Sequence, residues 1–320
     1  LNDRIPQWRT LLQEHPRCTE KRRATLKIIL KTKDEKLLLQ EWINHHAAIV
    51  GAQNLLILDN RSTRSEVFAI YDCNAAAIPI GAFDGFVDNP HSRGRFSELY
   101  DWLTQTTDYY IFLDTDERLI WVEGEEYLSD SRVVERLQQH SAIAGLPGTW
   151  LYNRPGSKME YQFVSMGGLI EGLRWGKPIL SSAAARPDNV IHNCHAAKMF
   201  DGAPANLFVL HLSRFSTVQR IDSNLNKLRS HGIISPADGV EAVAGMDVSA
   251  IKSPTIERLV EEILNLSKVE DYSNPDDAAK PYSIVFKDGK IEFNNAGQQR
   301  LLEEFISRDL DFSGICNPTA

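Results

Sequence analysis

The feature that most restricts the fold of this chain is a repeated alternation, from about residue 24 to residue 113, of short apolar runs with segments of helical spacing. Thr25 to Leu30 reads as a buried strand. Thr32, followed three residues later by Glu35, has capping-box spacing, and Leu38, Trp42, His45 and Ile49 then recur at helical intervals until Gly51. Asn54 to Leu58 is a second apolar strand, Ser65 to Tyr71 a short helix and Ala77 to Ile80 a weak strand. Phe96 to Leu103 then reads as a helix and Tyr109 to Leu113 as a strong strand. Such alternation predicts an α/β fold, Rossmann-like, with a mostly parallel central sheet covered by helices. Ligands of these sheets sit beyond the carboxyl ends of the strands, where Asp59 and Asp114 fall.

The texture changes twice further on. Residues 145 to 215 are broken by Gly145, Pro147, Gly148, Pro155, Gly156, Gly167, Gly168 and Pro178, which predicts short strands and loops around a site. After Ser216 helical spacing returns over Thr217 to Ser230, Pro236 to Ala244 and Thr255 to Leu266. A hairpin around Asp288-Gly289 and a helix near Ala296 to Ile306 follow. The expected organisation is a helical lead-in over 1–23, an α/β domain over 24–215 and a mainly helical extension over 216–320, with Asp271 to Lys280 as a flexible link.

The stretch richest in chemistry is Tyr109 to Glu117, where an apolar strand delivers Asp114 and Asp116 two positions apart. In extended backbone that spacing puts both carboxylates on one side of the strand end. Hard oxygen ligands so placed suit Mg²⁺ or Mn²⁺ bridging to phosphates, although carboxylates in a solvated turn have the same spacing.

Other segments fall in line with it. Lys31-Thr32-Lys33-Asp34-Glu35, Glu41-Trp42 with His46, Asp59-Asn60-Arg61-Ser62 and Asp114-Thr115-Asp116-Glu117 occur in that order. Together they resemble the glycosyltransferases grouped as family 2-like and family 92, which carry Lys-Asn-Glu, Glu-Trp with a following His, Asp-Asn-x-Ser and Asp-x-Asp-Glu. A fainter similarity continues through Trp150 to Asn153, His192, His195 and His211 to Ser216, so it covers about residues 25 to 230. Lys33-Asp34 stands where the family has Lys-Asn, Arg118 where it has an aromatic, and Tyr152-Asn153 where it has Phe-Gly.

The resemblance implies a GT-A fold, a nucleotide-diphosphate sugar donor, a glycan or glycoconjugate acceptor and an inverting transfer in surface polysaccharide synthesis. It implies Asp116 as a direct ligand of Mn²⁺ or Mg²⁺, Asp114 at the metal or the ribose, and Asp59 at the nucleoside. Asp34 and Glu35 lie at the same edge, where donor binding competes with a helix-capping reading. Such enzymes often add one late His to the metal; of His192, His195 and His211, His195 is the first choice. A carboxylate must deprotonate the acceptor hydroxyl, and Glu171 is preferred over Glu160 and Asp188. Trp150, Tyr152 and Trp175 are candidate stacking platforms, whereas Trp42, Phe96, Leu99 and Trp102 read as core.

Two other readings compete. Haloacid-dehalogenase phosphatases also end an apolar strand in Asp-x-Asp, but on the first strand rather than about the fourth. A catalytically silent GT-A module that binds carbohydrate or scaffolds an assembly is the other.

Composition narrows the partners. With 35 Lys and Arg against 43 Asp and Glu the chain carries a formal charge of −8, which repels nucleic acid in general. The basic concentration Lys21, Arg22, Arg23, Lys27, Lys31, Lys33 and Lys36 reads as a solvated strand edge, with a phosphate or membrane-surface contact as its alternative. Four separated cysteines without a CxxC pair suit a reducing cytoplasm. No apolar run reaches the ~18 to 20 residues of a membrane span. A cytoplasmic enzyme, with peripheral association at the inner membrane face or in a multi-enzyme assembly, is the expectation.

Overall fold

The computed structural model describes residues 4–15, 18, 23–140, 143–163, 176–184, 203–247, 251, 253–269, 284–293 and 296–307. Strand β1 (Ala24–Thr32) lies between β2 (Leu55–Asp59) and, on its other side, the strand Thr107–Leu113, pairing in parallel with both. β3 (Ile80–Ala82) extends the sheet beyond β2, and Thr107–Leu113 is β4. Leu26, Ile28 and Leu30 pack on one face with Trp42 and Ile43, while Ile29 faces the opposite layer with Leu99, Leu103 and Phe112. Both faces are therefore covered, which is why β1 and β2 read as continuous apolar runs.

The helix expected after β1 starts later than its capping box. Parallel pairing with β2 carries β1 through to Thr32, opposite Asp59, so Thr32 ends a strand and does not cap a helix. The helix runs over Leu39–Val50, with Leu39, Trp42, Ile43, His46, Ile49 and Val50 buried on one stripe. Gly51 terminates it at φ +78°, a conformation that favours glycine. The weak strand expected at Ala77 to Ile80 forms two to three residues later, where Ile57, Leu58 and Asp59 offer partners.

After Asp114-Thr115-Asp116 the chain leaves this sheet. β5 (Glu117–Glu123) and β6 (Glu126–Leu128) begin a second sheet, and β7 (Gly145–Leu146) returns to the first. β8 (Thr149–Asn153) and β9 (Glu160–Phe163) join the second, whereas β10 (Ile179–Ser181) pairs antiparallel between β4 and β7. β11 (Leu207–His211) lies antiparallel to β5 and parallel to β8. The first sheet is thus mostly parallel, in the order β3-β2-β1-β4-β10-β7.

The expected C-terminal helices occur at Thr217–Ser230, Val240–Ala244, Pro254–Leu266 and Ala296–Ser307. The extension is not wholly helical, however. Its hairpin, β12 (Ile284–Lys287) and β13 (Lys290–Phe293), pairs with β9 and β6 and closes the second sheet in the order β11-β5-β6-β13-β12-β9-β8. Ile284, Phe286 and Ile291 are buried there against Ile120, Val122 and Phe208, so apolar burial draws the hairpin across the boundary expected at residue 216. The proposed link Asp271 to Lys280 lies outside the described residues. Among the described residues no helix is long and apolar enough to cross a membrane.

Candidate active site

The turn from β4 to β5 places Asp114 and Asp116 where the two sheets meet, at the carboxyl end of β4. Glu117 N donates to Asp114 O at 3.0 Å and closes the turn. Pairing of β11 with β5 sets His211 opposite Glu117, and Leu212 N donates to Asp116 O at 2.6 Å. His211 Nε2 then lies 3.3 Å from Asp116 Oδ2, each side chain being 17% exposed. Burial raises the Asp116 pKa, but the His211 charge and hydrogen bond outweigh it and hold the carboxyl below its ordinary range.

Asp114 is engaged differently. Lys177 Nζ donates to its Oδ2 at 2.8 Å, Lys31 Nζ stands 3.2 Å from its Oδ1, and Lys31 also donates to Asp88 at 2.7 Å. Lys177 lies 3.5 Å from Glu117 as well, a fully buried carboxylate that accepts from Trp150 Nε1 at 2.7 Å and from Asp114 N at 2.7 Å. Burial opposes charge on both lysines, yet Asp114 and its neighbouring carboxylates overrule it and keep both pKa values above the usual lysine value. Lys177 reaches this position because Gly148 and Gly176 cross at very short range. A Cβ on Gly176 would meet Gly148 O at 1.8 Å, so a side chain there would force the strands apart.

The lysines of the basic concentration are not all solvated. Lys27 and Lys31 are buried, since β1 is a central strand, and their stems follow the apolar sheet surface to polar partners.

A cavity of about 470 Å³ opens over Asp114 and Asp116. Lys31, Thr32, Lys33 and Glu35 from β1 and its following loop form one side. The helix Thr217–Ser230 forms the other, with Gln219, Ser223, Asn226, Lys227 and Ser230 on a single stripe, joined by Arg258 from the next long helix. Phe86 and His231, ring centroids 5.5 Å apart, meet across its rim. Among the described residues no carboxylate forms an ion pair with Lys33, Lys227 or Arg258.

The sequence-predicted residues separate into groups. Glu35, Asp114 and Asp116 line the cavity. Burial, reinforced by Asp116, pushes the Glu35 pKa up to about 7. Asp34 and Asp59 do not line it, because the loops after β1 and β2 use both. Asp34, at φ +54°, accepts from Thr63 N at 2.6 Å and Arg64 N at 3.0 Å, while Asp59 accepts from Ser62 N at 2.8 Å and Tyr71 Oη at 2.9 Å. Desolvation raises the Asp59 pKa. Glu160 is ion-paired with Arg154 at 2.8 Å. Glu171, Asp188, His192, His195 and Trp175 lie outside the described residues. Trp150 lines the cavity and Tyr152 flanks His211 at 4.9 Å.

His45 and His46 brace the fold rather than the site. His45 Nε2 donates to Leu119 O at 2.8 Å and His46 Nε2 accepts from Leu119 N at 3.2 Å, which ties the helix to β5. Burial lowers both pKa values, that of His45 to about 4, so both rings stay neutral.

The donor set of Asp116 and His211 fits a divalent ion. It offers a carboxylate oxygen and an imidazole nitrogen, Asp116 Oδ2 and His211 Nε2, within 3.3 Å. Among the described residues no third His, Cys, Asp or Glu completes a cluster. Phosphate oxygens and water would fill the remaining positions, as is common for Mg²⁺-type sites.

No protein-family model and no curated protein matches the chain. Among solved structures, it is similar to a mannosyltransferase from Pyrobaculum calidifontis in complex with GDP-Man and Mn²⁺, at 13% identity over 80% of this chain and 74% of that one, with a TM-score of 0.38. S. aureus TarS 1–349 aligns at 11% identity over 85% of this chain and 97% of that one, with a TM-score of 0.34. Glucosyl-3-phosphoglycerate synthase from Mycobacterium tuberculosis in complex with Mn²⁺, UDP and glucosyl-3-phosphoglycerate aligns at 12% identity over 50% and 57%, with a TM-score of 0.27.

Proposed function

We propose that this chain is a metal-dependent, inverting glycosyltransferase that moves a sugar from a nucleotide-diphosphate donor to a glycan or glycoconjugate acceptor in surface polysaccharide synthesis. One observation carries the reading. At the carboxyl ends of β1 and β4, the Asp116 and His211 donor pair shares a cavity with Lys33, Lys227 and Arg258, cations that no described carboxylate pairs. Carboxylate, imidazole and uncompensated cations together suit a metal-bound diphosphate.

In this reading Asp116 and His211 hold Mn²⁺ or Mg²⁺, whose contribution when bound is to neutralise charge on the diphosphate. Asp114 is the counter-ion that fixes Lys31 and Lys177 beneath the site. Glu35 borders the donor. The role of acceptor base stays with Glu171, and His195 stays a candidate additional ligand.

The test is titration of UDP, GDP, CDP, ADP and dTDP with and without Mn²⁺. A ligand at 100 times its dissociation constant stabilises the fold by about 2.7 kcal/mol. Asp116→Asn keeps the shape and removes the charge, so it should abolish Mn²⁺-dependent binding and leave thermal stability near that of the wild type. Unchanged Mn²⁺-dependent binding in that variant would sink the assignment.

A further inference from the structure

The basic residues of the helix Thr217–Ser230 are used unequally. Arg220 makes two bonds to Glu262, at 2.8 and 2.7 Å, and Arg229 donates to Asp238 O at 2.6 Å and Asn226 Oδ1 at 2.7 Å. Both are committed to holding the helical layer together. Lys227 has no described carboxylate or carbonyl partner, and it lines the cavity with Asp114, Asp116 and Lys31.

The surroundings of Lys227 point to an absent anion. Its stripe carries Ser223, Asn226 and Ser230, while Leu225 and Leu228 bury the opposite stripe against Leu259, Val260 and Ile263. That packing turns the stripe carrying Lys227, an exposed side chain, toward the cavity. Crowding and the Arg220 charge lower its pKa, whereas Asp116 and Asp114 raise it too little to compensate. A second observation agrees: Thr32 Oγ1, a hydroxyl on a cavity-lining residue that can donate to an anion, is buried without a described hydrogen-bond partner.

We propose that Lys227 binds the terminal phosphate of the leaving nucleoside diphosphate from the helical wall, across the cavity from Asp116. This rests on the donor reading above and adds a catalytic residue to it. During transfer the bond from the anomeric carbon to the β-phosphate oxygen breaks and its electron pair passes to that oxygen. The acceptor oxygen bonds to the anomeric carbon, and its proton goes to the carboxylate base. Lys227 donates a hydrogen bond to the phosphate throughout and keeps its own protons, so its interaction strengthens as negative charge develops.

The full-length chain is titrated in Mn²⁺ with each of the five nucleoside diphosphates and with the matching monophosphates. For the diphosphate that binds, Lys227→Ala should weaken affinity about 10- to 100-fold, the range for a lost hydrogen bond between charged groups. Affinity for the monophosphate, which lacks the contacted group, should change less than about twofold, and Lys227→Arg should recover most of the loss. Equal affinity of wild type and Lys227→Ala for the diphosphate overturns the role of Lys227 while leaving the donor reading intact. Equal losses for diphosphate and monophosphate, or a melting temperature lowered in parallel, overturn it in favour of a structural role. Failure of the wild type to bind any of the five diphosphates overturns the donor reading itself, and this inference with it.

Discussion

The two walls of the cavity handle charge in opposite ways. On the sheet side the three carboxylates of Asp88, Asp114 and Glu117 share the two ammonium groups of Lys31 and Lys177 at 2.7 to 3.5 Å, so each has an opposite charge within the fold, and Lys33 stands outside this network. On the helical side Lys227 and Arg258 face the same space with no described carboxylate against them. A buried network of the first kind can be rigid in the absence of ligand, because each desolvated charge already has its partner. Cations of the second kind are stabilised only when an anion arrives. The paired network of the sheet wall therefore sets geometry, while the cations of the helical wall, together with Lys33, set affinity.

The sharpest way to break this contrast is to open the sheet-side network. Lys177 is 2% exposed and pairs with Asp114 and the fully buried Glu117. Lys177→Ala should destabilise the protein by about 3 to 5 kcal/mol, since it leaves carboxylates buried without their counter-charge. Urea unfolding at neutral pH measures this directly, and a loss below about 1 kcal/mol would show that water relieves the network. Lys227→Ala, by contrast, should change stability by about 0.5 kcal/mol or less. Similar losses in the two variants would erase the distinction between the walls.

A smaller cut tests the neutral end of the same network. Trp150 Nε1 donates to Glu117 Oε1 at 2.7 Å in a buried setting. Trp150→Phe removes the donor and keeps most of the ring, so a cost of about 1.5 to 3 kcal/mol is expected for a hydrogen bond to a charged group. Chemical denaturation of the single variant and of its combination with Lys177→Ala should give a total that departs from additivity, because both residues act on Glu117. Strict additivity would mean that Trp150 contributes only through packing.

The first sheet was legible in the sequence because its code is local. Ile28 to Leu30 and Leu55 to Leu58 are apolar on both faces, and the spacing of Leu38, Trp42, His45 and Ile49 needs no distant partner to be read as a helix, although the stripe that is buried is Leu39, Trp42, Ile43, His46 and Ile49. The cavity walls were only partly legible. Asp114 and Asp116 stand out as a spaced pair, but the position of His211 beside Asp116 depends on the register of β11 against β5, which pairs His211 with Glu117, 94 residues earlier. Lys177 carries no signal beyond a lysine between Gly176 and Pro178, and its burial follows from the crossing of Gly148 and Gly176. Asp34 and Asp59 show the reverse: conspicuous at strand ends, they are used by Thr63, Arg64, Ser62 and Tyr71. Carboxylates at a strand end advertise a site, but the partners that claim them come from tertiary structure. The hairpin β12 and β13 was recognisable from its turn, whereas its insertion between β9 and β6 was not, since edge pairing leaves no local trace.

The smallest expected effect lies at Glu35, on the sheet side of the cavity. Burial and the neighbouring Asp116 raise its pKa to about 7, so the folded protein holds a proton that the unfolded chain, near the ordinary carboxylate value, has released. Below about pH 4.5 the group is protonated in both states and its protonated form is fully compatible with folding. As pH rises through 5 and 6 the unfolded chain binds fewer protons than the folded one, and stability falls until the folded group ionises near 7. Partial exposure screens the effect to about 1 to 2 kcal/mol across this window. Glu35→Gln has no proton to lose there, so its melting temperature should gain on that of the wild type between about pH 5 and 7 and then run parallel above 8. Parallel profiles across the whole range would mean that Glu35 is solvated in the uncomplexed protein, and a gain for the wild type would place a cation beside it. Either result would remove Glu35 from the buried charges of the sheet wall.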